Sequence, residues 1–225
     1  MKILREPRKK VHPRRRAGVI ALGLSLFAAS VAVAVAAGGF AGAQAATAGE
    51  PRAAGVTVLM GGDFVNTGTE SRNISRCVIG DVLVGRQHAG DENGPTFHRC
   101  ASVRPSDPRT HEIAQRPEVV KSEWITESSG VRFTCPTDTV LFQRMHVNDE
   151  NGQTQYRCRS FDLVSLEGGS TMRVVTSDPV WSSSIKESAG TAFSCPRGQA
   201  MTGRFHTGDE NGSTEYQCSS VGVSG

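Results

Sequence analysis

The sequence predicts an all-β protein made of tandem small antiparallel β modules, each with one intra-module disulfide. Three observations predict this class: six cysteines in three equally spaced pairs, a phrase repeated inside each pair, and no sustained helical periodicity. The first cysteines of successive pairs lie 58 and 60 residues apart, so the chain is an array of short units. The three pairs are Cys77/Cys100, Cys135/Cys158 and Cys195/Cys218.

The cysteine spacing also favours one disulfide pattern. Six cysteines allow 15 connectivities, but identical spacing within each repeat favours pairing inside the copy. Each closed loop would contribute about 3.5 kcal/mol in the chain-entropy account, which suits modules with thin cores. Zinc binding is the alternative use, and the lack of C-x-x-C spacing argues against it.

Residues 1–45 are predicted to be a signal peptide. A basic start is followed by an apolar run from Val19 to about Ala37 and by the small-x-small step Ala43-Gln44-Ala45. An uncleaved membrane anchor is the rival interpretation, because the apolar run approaches the length that spans a bilayer. The favoured interpretation predicts a secreted, extracellular protein, with general and twin-arginine export both left open.

Removal of the leader reverses the charge of the chain. The whole chain has a formal net charge of +3, and the leader holds eight Lys and Arg against one Glu, or +7, which leaves −4. An acidic mature protein has no electrostatic reason to bind nucleic acid or an anionic membrane.

The mature chain divides into an N-terminal segment and three repeats. Residues 46–66 are predicted to be an extended segment with a docking strand around Val56, Val58 and Met60, and the repeat modules span 67–111, 112–167 and 168–225. The strand could add to a partner's sheet or form an intramolecular edge, and neither is favoured. Separate beads, two lobes and a closed three-fold array all remain open.

Each module is predicted to contain a hairpin preceded by a further strand. The Asp-Glu-Asn-Gly quartet between the hairpin strands predicts a tight turn, with positive φ angles at the Asn-Gly step. A Glu-Ser-x-Gly turn precedes the strand that ends at the first cysteine in modules two and three, and Glu70-Ser71-Arg72-Asn73 replaces it in module one. The predicted hairpin strands are 82–88 with 96–103, 140–146 with 154–161, and 200–206 with 214–221.

The positions that stay the same between copies form the candidate site. Period-two alternation places each Arg and His on one strand face, and each Thr and Tyr on the facing strand, with Asp and Glu at the tip. We call this set the polar cage and predict that it binds a partner. Its members are Arg86, His88, Asp91, Glu92 and Asn93 in copy one, Arg144, His146, Asp149, Glu150, Asn151, Thr154 and Tyr156 in copy two, and Arg204, His206, Asp209, Glu210, Asn211, Thr214 and Tyr216 in copy three.

Three interpretations of the cage compete. It could be a self-satisfying network, in which the carboxylates accept from the Arg forks, the turn amides and the His rings. It could be a recognition site that gains from being present three times. Catalysis is disfavoured because the sequence has no G-x-S-x-G elbow and no unpaired cysteine, and the tip does not follow a calcium-loop spacing. No cofactor and no metal are predicted.

The phrase G-R-x-H-x-G-D-E-N-G-x-T-x-Y-x-C, complete from Gly203 to Cys218, resembles small secreted proteins of actinobacteria. It looks most like the adaptor subunit of umbrella toxin particles, and more distantly like dermatopontin-like modules. The resemblance implies a non-enzymatic adaptor whose N-terminal strand inserts into a lectin-bearing subunit and whose cage grips a repeat-containing toxin spoke. Copy two departs from the phrase at Gln143 and Asn148, and copy one at His98, which favours copy three as the binder. A multivalent carbohydrate-binding lectin is the alternative, and a structural wall protein is third.

Overall fold

The fold is made of antiparallel strands. The computed structural model describes residues 55–59, 61–149, 151–209 and 211–224. All strand pairings within these ranges are antiparallel. The strands are β1 Val56–Val58, β2 Val65–Thr69, β3 Arg72–Arg76, β4 Asp81–His88, β5 Pro95–Pro105, β6 His111–Lys121, β7 Ile125–Thr126, β8 Ser129–Thr134, β9 Val140–Val147, β10 Gln153–Ser165, β11 Thr171–Trp181, β12 Phe193–Ser194, β13 Gln199–Thr207 and β14 Ser213–Val223.

These strands confirm the predicted all-β class and the hairpin of each repeat. The hairpins are β4–β5, β9–β10 and β13–β14. The described ranges contain no helix with the length and apolar character needed to cross a membrane. The predicted signal peptide lies outside the described residues.

The modules exchange strands in a closed cycle. The strand that leads to the first cysteine of each module pairs with the hairpin of another module: β3 with β9, β8 with β13, and β12 with β4. The third exchange returns from the last module to the first. Of the three packing arrangements left open by the sequence, the structure therefore has the closed three-fold array.

All three predicted disulfides are present. Cys77–Cys100, Cys135–Cys158 and Cys195–Cys218 join cysteines whose Cα atoms are 5.7, 5.9 and 5.7 Å apart. The first cysteine of each pair also donates its backbone N–H to the hairpin of the next module, as Cys77 does to Phe142 O at 2.9 Å. Each bridge therefore ties a module's own hairpin to a junction between modules. Disulfides persist in oxidising compartments, so the chain matures in such an environment.

Two apolar clusters fill the interior. One is made mainly of aliphatic residues from the three hairpins and from β1, including Val82, Val140 and Ala200 at equivalent positions. The other surrounds the disulfides and contains two stacked ring pairs, Phe133–Tyr156 and Phe193–Tyr216, with ring centroids 4.3 and 4.4 Å apart. The equivalent pair in module one is Ser75 with His98, so this cluster departs from three-fold symmetry there.

The strand β1 lies within the protein's own sheet. It pairs with β5, and Val58 is buried in the aliphatic cluster while Val56 packs against it. These contacts correspond to the intramolecular edge that the sequence left as one of two alternatives. Met60 lies outside the described residues.

Candidate functional site

The candidate site begins with the strand register of the three hairpins. In copy three, Arg204 lies opposite Tyr216 and His206 opposite Thr214, and copy two has the same register. In copy one, Arg86 faces His98 and His88 faces Thr96. The predicted common face of Arg, His, Thr and Tyr is therefore present in every hairpin. The face is directed inward, however, since the arginines, threonines and tyrosines of this face are all buried.

The three inward faces meet at one centre because the array is closed. There the arginines alternate with glutamates from the turns before β3, β8 and β12. Each arginine forms ion pairs with two glutamates, and each glutamate with two arginines. The six pairs are Arg86–Glu70, Arg86–Glu187 at 2.7 Å, Arg144–Glu70 at 2.7 Å, Arg144–Glu127, Arg204–Glu127 at 2.5 Å and Arg204–Glu187 at 2.6 Å. We call this closed set the Arg–Glu ring.

The three ring glutamates are functional residues that sequence reasoning missed. It placed Glu70, Glu127 and Glu187 in turns, and its self-satisfying interpretation gave the Arg forks the tip carboxylates as partners. A signal was available, because a Glu stands at the same place in all three repeats. A turn that needs only Ser and Gly does not require that carboxylate.

Electrostatics keep the ring ionised. Burial alone would raise the pKa of Glu187, but Arg204 and Arg86 outweigh it and lower the pKa to about 2. The pKa values of Glu70 and Glu127 are also below their ordinary range, because their arginine neighbours overcome the burial effect. Burial would lower the pKa of Arg204, whereas Glu127 and Glu187 raise it. Since three positive and three negative charges are present, the ring itself is neutral.

Further hydrogen bonds join the ring to the hairpins. Tyr216 Oη donates to Glu187 Oε1, and Thr96 Oγ1 donates to Glu70 Oε2 at 3.0 Å. In copy one, His98 stands at the tyrosine position, and its buried Nδ1 has no hydrogen-bond partner among the described residues. Copy one therefore lacks the tyrosine hydroxyl that Tyr216 offers to Glu187 in copy three.

The histidines form a layer next to the ring. The Nδ1 atoms of His88, His146 and His206 lie 3.0, 2.7 and 2.8 Å from the Oγ1 atoms of Thr96, Thr154 and Thr214, respectively. Burial, followed by the adjacent Arg204, lowers the pKa of His206 to about 4. Burial and the neighbouring arginines also lower the pKa values of His88 and His146. The three rings are therefore neutral at neutral pH.

A small cavity adjoins the ring and the histidine layer. Its volume is about 40 Å³, so it is the size of one or two water molecules and too small for a side chain. The three copies of the motif thus converge on one central cavity instead of forming three separate pockets. The lining residues are Glu70, His88, Glu92, Glu127, Arg144, His146, Glu187, Arg204 and His206.

Three of the lining residues have the proximity of a metal site. Ligand atoms of Glu70, Glu127 and His146 lie within 4.8 Å of one another. However, both carboxylates already bind Arg144, and His146 Nε2 lies 2.9 Å from the backbone oxygen of Asp149 while Nδ1 bonds to Thr154. A cation would have to displace an arginine, so these residues are better explained as part of the ionic network.

The Asp-Glu-Asn-Gly turns lie outside the buried network. Each Asp Oδ1 accepts from the backbone N–H of the Asn two residues later, at 2.9 Å for Asp91, 3.1 Å for Asp149 and 2.8 Å for Asp209. Within the self-satisfying interpretation, the bond between the tip aspartates and the turn amides is therefore present, whereas the described tip carboxylates Asp91, Glu92, Asp149 and Asp209 form no ion pair with the Arg forks. Asp91, Asn93, Asp149, Asn151, Asp209 and Asn211 are exposed, and we call these residues with Glu92 the rim. Glu150 and Glu210 lie outside the described residues.

The positive φ angle of each turn does not lie at the Asn-Gly step, where it was predicted. The left-handed residue precedes the Asp: it is Gly90 in copy one, Asn148 with φ 72° in copy two, and Gly208 in copy three. The glycine of the Asn-Gly step is required for a different reason. A Cβ at Gly212 would lie 1.9 Å from the backbone oxygen of Thr207, so only glycine permits this close approach.

Comparisons of this chain with protein-family models, curated proteins and solved structures give no match. The class that the fold and the site define is an all-β, disulfide-bonded array with a closed ionic centre. Its function must be argued from the site itself.

Proposed function

We propose that the protein is a secreted, non-enzymatic adaptor that binds other secreted proteins through the rim. The observation that carries this proposal is the convergence of three exposed polar turns around one axis above a rigid, buried ionic ring. Such a ring holds the three turns at fixed separations, and preorganised loops lose less entropy when they bind.

The state of the polar side chains supports a non-enzymatic role. The ring arginines and glutamates are engaged with one another, and the imidazole nitrogen atoms of His146 both have partners. A general base or a nucleophile needs a group that is free to reach a substrate. A binding surface does not need a reactive group that is free to reach a substrate.

The first partner would contact the rim, and the second would contact the edge of the sheet that contains β1. This strand is the terminal strand of its sheet, so its outer edge is suited to strand addition. In the umbrella-toxin resemblance, these partners would be a repeat-containing toxin spoke and a lectin-bearing subunit. The convergence on one centre argues against three independent sugar sites, so the multivalent lectin is the weaker proposal.

The experiment is recovery of the C-terminally tagged mature protein from the culture fluid of its own host without reductant, followed by mass spectrometry. Two companions in fixed stoichiometry, one of them repeat-built and the other lectin-bearing, are expected. A protein that is recovered alone, or that is released from cells by free sugar, would overturn the adaptor proposal.

Rim variants make the test specific. Glu92→Lys and Asn93→Ala change rim side chains that hydrogen-bond to each other in the part of the chain that the structure describes. We expect them to reduce recovery of the first companion while the fold is retained. Arg109→Gln is the matched surface control, because Arg109 is 89% exposed and pairs only with Asp107.

A further inference from the structure

Arg159 on β10 is a buried cation that has no carboxylate partner among the residues that the structure describes. It is 3% exposed, its Nη1 donates to Gln115 Oε1, and its Nε is buried with no hydrogen-bond partner among the described residues. Its guanidinium carbon lies 3.4 Å from the centroid of the Phe142 ring. Buried charges in proteins are normally paired, because an unpaired one loses its hydration without compensation.

The neighbourhood of Arg159 adds positive charge. Burial, followed by the nearby Arg76, lowers its pKa to about 10. Arg76 is an exposed residue at the end of β3. Among the described residues, no acid contributes an opposing effect on Arg159. The group that would compensate the positive charge at this junction is therefore an anion.

Repeat equivalence shows that the core does not require this arginine. The residues 58 before and 60 after Arg159 are Ala101 and Ser219, which are buried and uncharged. The other two modules thus fold with an uncharged residue at the position of Arg159. A charge that costs stability and is absent from the equivalent positions is better explained by binding than by folding.

Two exposed apolar residues follow Arg76 in the sequence. Val78 and Ile79 follow Arg76 and Cys77, and they are 70% and 82% exposed. Their counterparts Pro136 and Thr137 line a surface pocket of about 250 Å³ together with Thr202 and Ser219, the counterparts of Phe142 and Arg159. From this equivalence, and because Cys77 N–H donates to Phe142 O, we infer that Val78 and Ile79 lie on the side of Phe142 and Arg159. Exposed aliphatic residues around a partly desolvated arginine are typical of binding hot spots.

We propose that Arg159, Arg76, Val78 and Ile79 form a docking surface for an acidic, apolar segment of another protein, whose carboxylate pairs with Arg159. A carboxylate accepts two parallel hydrogen bonds from one guanidinium, and aliphatic neighbours of that carboxylate would cover Val78 and Ile79. This surface lies at the junction of modules one and two and uses no rim residue. It therefore stands or falls independently of the adaptor proposal.

The test uses the mature chain with its disulfides intact and two synthetic peptides, Leu-Glu-Val-Glu-Leu amide and its Gln-for-Glu match. The readout is the Nε–Hε resonance of Arg159 by NMR during titration. We expect saturable shifts with the acidic peptide, at least about tenfold weaker binding of free acetate, and no response to the Gln peptide. Absence of a shift, or acetate that binds as well as the peptide, would overturn the docking proposal.

Variants assign the binding to this surface. Arg159→Met keeps the apolar stem over Phe142, so we expect a folded protein that no longer binds the acidic peptide. Arg76→Gln changes an exposed side chain that cannot disturb the core, and we expect binding several-fold weaker. Arg109→Gln is the control and should bind normally. Equal binding by Arg159→Met, or by Arg76→Gln if the first variant does not fold, would refute the assignment.

Discussion

Arg86 of the first module forms an ion pair with Glu187 of the third at 2.7 Å, across 101 residues of chain. This contact closes the Arg–Glu ring, since the other junctions join modules that are adjacent in sequence. It coincides with the pairing of β12 with β4, which closes the cycle of strand exchange. The ionic centre and the sheet topology therefore depend on the same event, the return of the last module to the first.

Removal of one ring partner should strongly destabilise the protein. We expect Glu187→Gln to lower the free energy of unfolding by about 3–5 kcal/mol, because it leaves one positive charge of the buried ring uncompensated, with Arg86 and Arg204 each keeping one carboxylate partner in place of two. Urea unfolding at neutral pH, followed by tryptophan fluorescence, measures this. Arg109→Gln is the control: its pair with Asp107 is 89% and 31% exposed, and its loss should cost much less stability. Similar costs for the two variants would contradict a structural role of the ring.

The departure of copy one from symmetry should be correctable. We expect His98→Tyr to raise the free energy of unfolding by about 1 kcal/mol, because it removes the unpartnered Nδ1 and offers Glu70 the hydroxyl that Glu187 receives from Tyr216. Denaturant unfolding with the disulfides intact is the measurement. Tyr216→His is the matched reverse variant and should be destabilising. A destabilised His98→Tyr protein would contradict this prediction and would show that the site beside Ser75 has no room for a tyrosine ring.

Acid should destabilise the protein in two stages. The folded-state pKa of His206 is about 4, below the ordinary 6.5, so the unfolded chain binds more protons between these values. Stability is then fully present above pH 6.5 and is lost as the pH falls towards 4. The ring glutamates follow: for Glu187, stability present above pH 4.5 is lost as the pH falls towards 2.

The measurement for this pH dependence is the urea midpoint between pH 7.5 and 3. His206→Gln should flatten the curve between pH 6.5 and 4 and leave the lower-pH loss in place. A wild-type midpoint that stays constant from pH 7 to 4.5 would show that the histidines are not held neutral by burial.

Gly212 and Gly222 differ in the space available for a Cβ, so they should respond differently to alanine. A Cβ at Gly212 would lie 1.9 Å from Thr207 O, so we expect Gly212→Ala to cost about 2 kcal/mol or more of stability through forced displacement of the turn. Gly222→Ala is the control, because a Cβ there meets nothing within 4 Å. The free energies of unfolding of both variants decide the point, and equal effects would show that the close approach is not what selects glycine.

At the left-handed position of the second turn, Asn148, glycine should be tolerated and a β-branched residue should not. Asn148 has φ 72°, a conformation that costs most non-glycine residues free energy but that Asn tolerates. We expect Asn148→Gly to change the free energy of unfolding by less than about 1 kcal/mol, and Asn148→Val to be clearly destabilising. Thermal unfolding of the pair measures this, and a neutral Asn148→Val would contradict the assigned backbone strain.

Sequence alone determined what depends on local spacing. The cysteine intervals predicted the three disulfides, period-two alternation placed Arg204 with His206 and Tyr216 with Thr214, and the Asp-Glu-Asn-Gly quartet predicted the tight turns. Each of these follows from the geometry of a strand or a turn a few residues long. Even there, the positive φ angle was assigned to the wrong residue, because the close approach of Gly212 to Thr207 is not visible in a turn signature.

Only the tertiary structure decided how the modules meet and therefore what the repeated residues do. A repeat states that modules are alike, but it does not state which neighbour completes a sheet. Glu187 reaches Arg86 only because β12 pairs with β4, and this pairing depends on closure of the whole array. Closure also turns the Arg, Thr and Tyr side chains from an expected surface into a buried centre and leaves the turns as the rim. The physical reason is that every ring arginine and glutamate takes its second partner from another module, which no single copy of the motif contains.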